Sequence, residues 1–142
     1  MSSSAISALW DSEQLPIRDG LYLASGVSYA VRGGSTPSEG LEILDEFDLE
    51  AVMREDPDWV TSFDITREVE LPGPGGYLCC GEGSYGSEGF FARIDQDRRL
   101  VWVVYLEESN PFTGVEVEGS RAVFTSSSGV RISVDVNRPQ SG

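Results

Sequence analysis

The chain contains no histidine and no lysine; all ten of its basic residues are arginines. Without imidazole it lacks the side chain that most often acts as general base near neutral pH, and the commonest neutral metal ligand. Without lysine it can form no Schiff base and cannot complete a phosphate-binding P-loop. Carboxylates, serines and tyrosines remain, so catalysis is narrowed and not abolished. Cysteine is scarce: two thiols, Cys79 and Cys80, stand side by side. Two thiols are too few to close a structural zinc site. A bond between neighbours in a strand would be strained, because successive side chains point to opposite faces. Both are expected as reduced, buried small residues. Long apolar runs are also missing, and none approaches the ~20 residues that span a bilayer. The opening MSSSAISALW carries no basic residue and no long apolar stretch. A protein with no leader and no membrane association, located in the cytoplasm, is the expectation.

What the chain has in excess is acid. Asp and Glu number 24 against ten arginines, a net charge of −14 over 142 residues. Such a surface repels nucleic-acid phosphates and suits a partner that is itself basic. The length fits one domain, 1–142, with residues 1–4 expected to be disordered and 139–142 frayed. Acid is densest between Glu39 and Asp58: Glu39, Glu42, Asp45, Glu46, Asp48, Glu50, Glu55, Asp56 and Asp58 face a single Arg54, a net of −8. The block reads either as a solvated face or as a negative patch that attracts and orients a basic protein. Calcium fits poorly: no D-x-[DN]-x-[DN]-G loop occurs, and Asp95-Gln96-Asp97 supplies too few oxygens. No cofactor and no metal are expected.

Ile6, Leu9 and Trp10 recur at helical spacing and predict a short helix that stops before Pro16. GLYLASGVSYAVRGG predicts two short strands around Ser25-Gly26. The next segment is ambiguous. Thr36-Pro37-Ser38-Glu39 has the pattern of a capping box, yet Gly40 follows at once, and Leu41, Ile43 and Asp45 alternate as a strand would. A helix from Leu49 to Glu55 is clearer, with Asp48 to cap it and Pro57 to end it. From Val60 onward the chain reads as an antiparallel meander with short connectors rich in Gly, Pro, Ser and Asp. Within it LVWVVYL, Leu100 to Leu106, is apolar at every position, so both of its faces must be covered. VEVEG and RISVDV alternate, leaving one face wet. The predicted fold is α+β: a single domain, mainly an antiparallel β meander, with one or two short helices packed on the sheet.

GEGSYG, Gly81 to Gly86, matches the spacing G-x-G-x-x-G. A dinucleotide fingerprint needs a helix opening at its last glycine, whereas GFFARI after it has the aromatics and alternation of a strand. The glycine loop of protein kinases is a nearer analogue, but that family needs a strand lysine and an H-R-D loop, and this chain has neither lysine nor histidine. The motif is read as a hairpin turn. Glu107 and Glu108, at the end of the apolar strand, are the first candidates for paired-carboxylate hydrolysis. Tyr85, between Glu82 and Glu88, is a candidate anchor for an arginine-rich surface; Phe112 and Trp59 also fall in turn-like contexts and are read as lids on the core edge. The candidate partner-binding set is Glu42, Asp45, Glu46, Asp48, Glu50, Glu82, Tyr85, Glu88, Glu107 and Glu108.

The stretch from Gly76 to Phe112, with GEGSYGSEGFFARIDQDRRLVWVVYLEESNPF, resembles the core of small bacterial immunity proteins of the SUKH superfamily: glycine-rich turn, strand, short polar turn, second apolar strand, then acids. That family continues into helices where this chain continues into strands. The resemblance implies a role and assigns no residue: such proteins, often acidic, bind and silence a toxin domain. The expected function is therefore a non-enzymatic acidic binding protein, an immunity-like inhibitor of a basic toxin or enzyme domain. A small carboxylate-dependent hydrolase and a structural subunit of a larger assembly are the alternatives.

Overall fold

The computed structural model describes residues 4–34, 36 and 40–141; Pro37, Ser38 and Glu39 of the expected capping box lie outside them. So do residues 1–3 and 142. Ser4, expected to be disordered, instead caps helix α1 (Ala5–Asp11), its hydroxyl accepting from the Ser7 amide at 3.3 Å. The helix holds Ile6, Leu9 and Trp10 and stops at Asp11, before Pro16, as expected. Glu13 takes a positive φ of 59° and turns the chain into β1 (Gln14–Pro16), a strand the sequence did not reveal. Pro16 has no N–H to offer, which suits a short strand at the sheet's edge.

Strands β2 (Gly20–Leu23) and β3 (Ser28–Gly33) follow as expected. The ambiguous segment resolves as β4 (Leu41–Phe47), which places Leu41 and Ile43 against the core and Glu42, Asp45 and Glu46 in solvent. Asp48 then caps α2 (Leu49–Glu55), accepting from the Ala51 amide at 3.3 Å. β5 (Val60–Glu70), β6 (Tyr77–Gly83), β7 (Gly89–Ile94) and β8 (Leu100–Leu106) form the meander. β9 (Phe112–Glu118), β10 (Arg121–Ser126) and β11 (Arg131–Asp135) make a second one. The tail expected to fray closes in a 3-10 turn, Pro139–Ser141, with Pro139 buried.

All pairings are antiparallel, in an eight-stranded sheet of order β1-β5-β6-β7-β8-β2-β3-β4 and a three-stranded sheet of order β11-β10-β9. The all-apolar strand β8 lies inside the large sheet, between β7 and β2. Trp102, Val104 and Leu106 face the small sheet, packing with Phe112, Phe124, Ile132 and Val134. Val103 and Tyr105 point the other way, into a cluster with Ile6, Trp10 and Leu49 of the helices. The same alternation splits the thiols, Cys80 toward the small sheet and Cys79 toward the helices. Aromatic contacts fasten both layers. Phe91 stacks on Phe124 with centroids 4.3 Å apart, and Trp10 stacks on Phe63 at 4.5 Å. The result is three layers of α+β architecture: small sheet, large sheet, helices.

Candidate functional site: an aromatic-walled cleft

Four chain segments meet at one end of the large sheet: the end of β8, the stretch before β2, the residue before β5 and the β6–β7 loop. Strand β8 ends there and emits Glu107 and Glu108, both exposed. The Asp19 carboxylate, just before β2, accepts from the Glu107 amide at 2.7 Å and holds that end in place. Trp59 precedes β5 and is fixed twice to Ile17: the Ile17 amide donates to the Trp59 carbonyl at 3.1 Å, and the Trp59 indole N–H donates to the Ile17 carbonyl at 2.8 Å. The β6–β7 loop supplies Tyr85.

Glu88 anchors that loop. It is 2% exposed, and an unpaired buried carboxylate would cost several kcal/mol on the order of those for an uncompensated buried charge. Three donors satisfy it: the Thr61 hydroxyl and the Tyr85 amide reach Oε1, each at 3.0 Å, and the Tyr105 hydroxyl donates to Oε2. The Ser84 amide in turn donates to the Thr61 hydroxyl at 3.0 Å. The glycines of GEGSYG follow from this packing. A Cβ on Gly83 would collide with the Glu88 carboxylate, and one on Gly81 with the Asp64 carbonyl, while Gly86 takes a φ of +82°. The loop is a hairpin turn closed on the chain's own carboxylate, and the Tyr85 amide that could greet a phosphate is already used.

Between these segments lies a cleft of about 310 Å³. Trp59 and Tyr85 stand at it 56% and 69% exposed. Buried Glu88 and Tyr105 line its inner end, with Glu107 and Glu108 beside them. The electrostatics are one-sided. Burial, then the charges of Asp19, Glu108 and Glu88, push the Glu107 carboxyl up from its ordinary value. Burial also raises Asp19, with Glu108 adding to it and the hydrogen bond from the Glu107 amide opposing. Among the described residues the ion pairs are Arg32–Glu42, Arg98–Glu68 and Arg99–Asp97, none of them at the cleft.

Of the residues singled out by sequence, the structure brings together Tyr85, Glu88, Glu107 and Glu108. Glu88 departs from the expectation of an exposed acid, because its side chain is consumed inside. Glu82 is half-buried on β6 opposite Asp64 and does not line the cleft. The acidic block forms a separate region on β4 and α2, where several members have structural work: Glu42 pairs with Arg32, Asp48 caps α2, and Glu50 accepts the Ala5 amide at 3.1 Å. Asp45 and Glu46 are exposed. The two regions approach where Arg18, next to Asp19, lies 4.2 Å over the Phe47 ring at the end of β4. Phe112 is wholly buried and is core, not lid. Sequence reasoning left Trp59 out of the site set, although its place in DPDW marked it as a turn aromatic. It gave no sign of Asp19, Thr61 or Tyr105, which only the sheet topology brings in.

Among the described residues no three Asp, Glu or Cys side chains converge to hold a metal ion, and no helix is long and apolar enough to cross a membrane. No family model matches the chain, and no curated protein or solved structure matches it.

Proposed function

We propose that the chain is a non-enzymatic acidic binding protein that docks a basic protein, in the manner of an immunity protein silencing a toxin or enzyme domain. One observation carries this reading: among the described residues, the carboxylates of the cleft and the exposed Asp45 and Glu46 of β4 form no ion pair with an arginine, while two aromatic rings stand bare at the cleft mouth. Like charges held together raise the free energy of the unbound protein, and a cationic partner relieves that repulsion. The same field would speed encounter with a positive surface and turn away nucleic acid. The exposed large apolar side chains among the described residues are Trp59, Ile65 and Tyr85, which favours docking through a few anchors over the broad apolar face of a structural subunit.

The test reverses charge where no structural role is served. A variant with Asp45, Glu46, Asp56 and Asp58 all changed to Arg is compared with wild type for affinity toward the partner captured at low salt. Loss of at least tenfold in affinity, with a flatter dependence on NaCl, is expected. An unchanged affinity and salt slope would refute the electrostatic reading.

A second reading draws on the raised Glu107 carboxyl in a concave cleft beside Glu108. A carboxyl raised in pKa beside a second carboxylate is the arrangement by which glycosidases divide acid and base roles. It predicts turnover of some chromogenic glycoside or ester that disappears in Glu107→Gln. Such turnover would displace the docking reading.

A further inference from the structure

We infer that the aromatic cleft receives one arginine side chain of the basic partner, stacked against Trp59 and Tyr85 with its guanidinium directed to Glu107 and Glu108. The inference rests on the docking reading and deepens it by naming what enters. The Trp59 ring and the Tyr85 backbone are held before any partner arrives: the Trp59 indole N–H is tied to the Ile17 carbonyl, and the Tyr85 amide to Glu88. The exposed face of Trp59 therefore needs little ordering on contact, and Tyr85 needs only its side chain ordered, the condition under which aromatic anchors contribute most to binding. A cavity of about 310 Å³ lies near the lower limit of ligand pockets, roughly 300–1,000 Å³, and suits one side chain better than a segment of chain.

Charge complementarity selects the occupant. A neutral group would leave the mutual repulsion of Asp19, Glu107 and Glu108 in place, and an anion would add to it. Among cations, a guanidinium is planar, weakly hydrated, stacks on aromatic faces and bridges carboxylates by paired hydrogen bonds, whereas an ammonium is a compact and strongly hydrated point charge. A bare metal ion fits less well, because both oxygens of Glu88 are already engaged by donors. A second copy of this chain is disfavoured as the source of the arginine, since each copy brings a net charge of −14.

The experiment is a chemical-shift titration of the full chain with acetyl-Gly-Gly-Arg-Gly-Gly-amide and with its lysine and citrulline counterparts. Saturable shifts of the Trp59 indole and the Tyr85 and Glu107 amides are expected with the arginine peptide. The lysine peptide should bind at least threefold more weakly, and the neutral citrulline peptide should produce no saturation. Trp59→Leu and the double variant Glu107→Gln, Glu108→Gln should each weaken arginine binding at least fivefold; Glu116→Gln, an exposed acid of β9, should not. Equal response to citrulline, shifts mapping away from the cleft, or indifference to both cleft variants would overturn the inference. If the cleft bound the arginine peptide while no basic protein partner existed, the inference would stand and the docking function would fall. If a basic partner bound Trp59→Leu as tightly as wild type and the peptide bound nowhere in the cleft, the function would stand and the inference would fall.

Discussion

At Gly83 the backbone runs so close to the Glu88 carboxylate that any side chain would displace it, and Glu88 is what the loop hangs on. Removing the carboxylate in Glu88→Ala leaves the Tyr105 and Thr61 hydroxyls and the Tyr85 amide without their acceptor. Buried hydrogen bonds to a charged group are worth about 1.5–3 kcal/mol each, and not additively. A loss of about 2–4 kcal/mol in urea denaturation is expected for Glu88→Ala. Glu88→Gln should lose less, because it keeps one acceptor oxygen and the Tyr105 hydroxyl can turn to accept. A change below about 0.5 kcal/mol in Glu88→Ala, the range of ordinary surface substitutions, would show that the carboxylate anchors nothing. Little of this site was legible from residues alone. Glu88 looked like one more acid beside an exposed tyrosine, since its partners Thr61 and Tyr105 lie 27 and 17 residues away and no local spacing encodes them. Tyr85, Glu107 and Glu108 were legible because turn aromatics and strand-end acids mark themselves in any sequence.

Elements were more readable than the site, for a physical reason. Leu100–Leu106 is apolar on both faces and so had to be an inner strand; Leu49–Glu55 carries its own cap and stop. β1 stayed hidden because three residues ending in proline have no period to detect. β4 was ambiguous because alternation and capping signals overlapped, and Leu41 and Ile43 against the core decided it. Cys79 and Cys80 report on the two layers that cover β6. Both are buried, and burial pushes the Cys79 thiol up to about 12 and raises Cys80 as well, so each reacts with a thiol reagent only when its cover opens. The helix cover is slight: α1 has seven residues, with Ile6 and Trp10 its buried side chains. Trp10→Ala removes the ring stacked on Phe63 and edge-on to Phe90, a change that typically costs about 3–5 kcal/mol. In Cys80→Ser protein this change should speed Cys79 labelling by more than about tenfold beyond its effect on Cys80 in Cys79→Ser protein. Equal acceleration of both thiols would mean that the helices and the small sheet open only together.

For the molecule as a whole, the surplus of acid sets how stability responds to salt and pH. A net charge of −14 repels itself in the compact state more than in the expanded one. Raising ionic strength from 0.01 M to 0.15 M shortens the screening length from about 30 Å to about 8 Å, so the thermal midpoint should rise. Asp19 and Glu107 give the pH dependence its sign. Asp19 is faced by Glu108 and the Glu107 amide; Glu107 is faced by Asp19, Glu108 and Glu88. Both carboxyls are raised in the folded state above ordinary values of 3.8 and 4.5. The folded chain therefore binds protons more readily than the unfolded chain between those values and the raised ones, and stability increases as pH falls through that window. The penalty is fully present above the raised values and gone below the ordinary ones, the reverse of a carboxylate held in an ion pair. Asp19→Asn removes one of the charges while keeping an oxygen for the Glu107 amide. It should raise stability at pH 7 by a few tenths of a kcal/mol, modest because Asp19 keeps contact with solvent, and the advantage should shrink toward zero by about pH 4. Differential scanning calorimetry from pH 7 to about pH 4 at low salt makes the comparison. A wild-type midpoint that falls on acidification, together with an Asp19→Asn variant no more stable than wild type at pH 7, would mean that these acids do not repel one another, and the cleft would lose its reason to attract a cation.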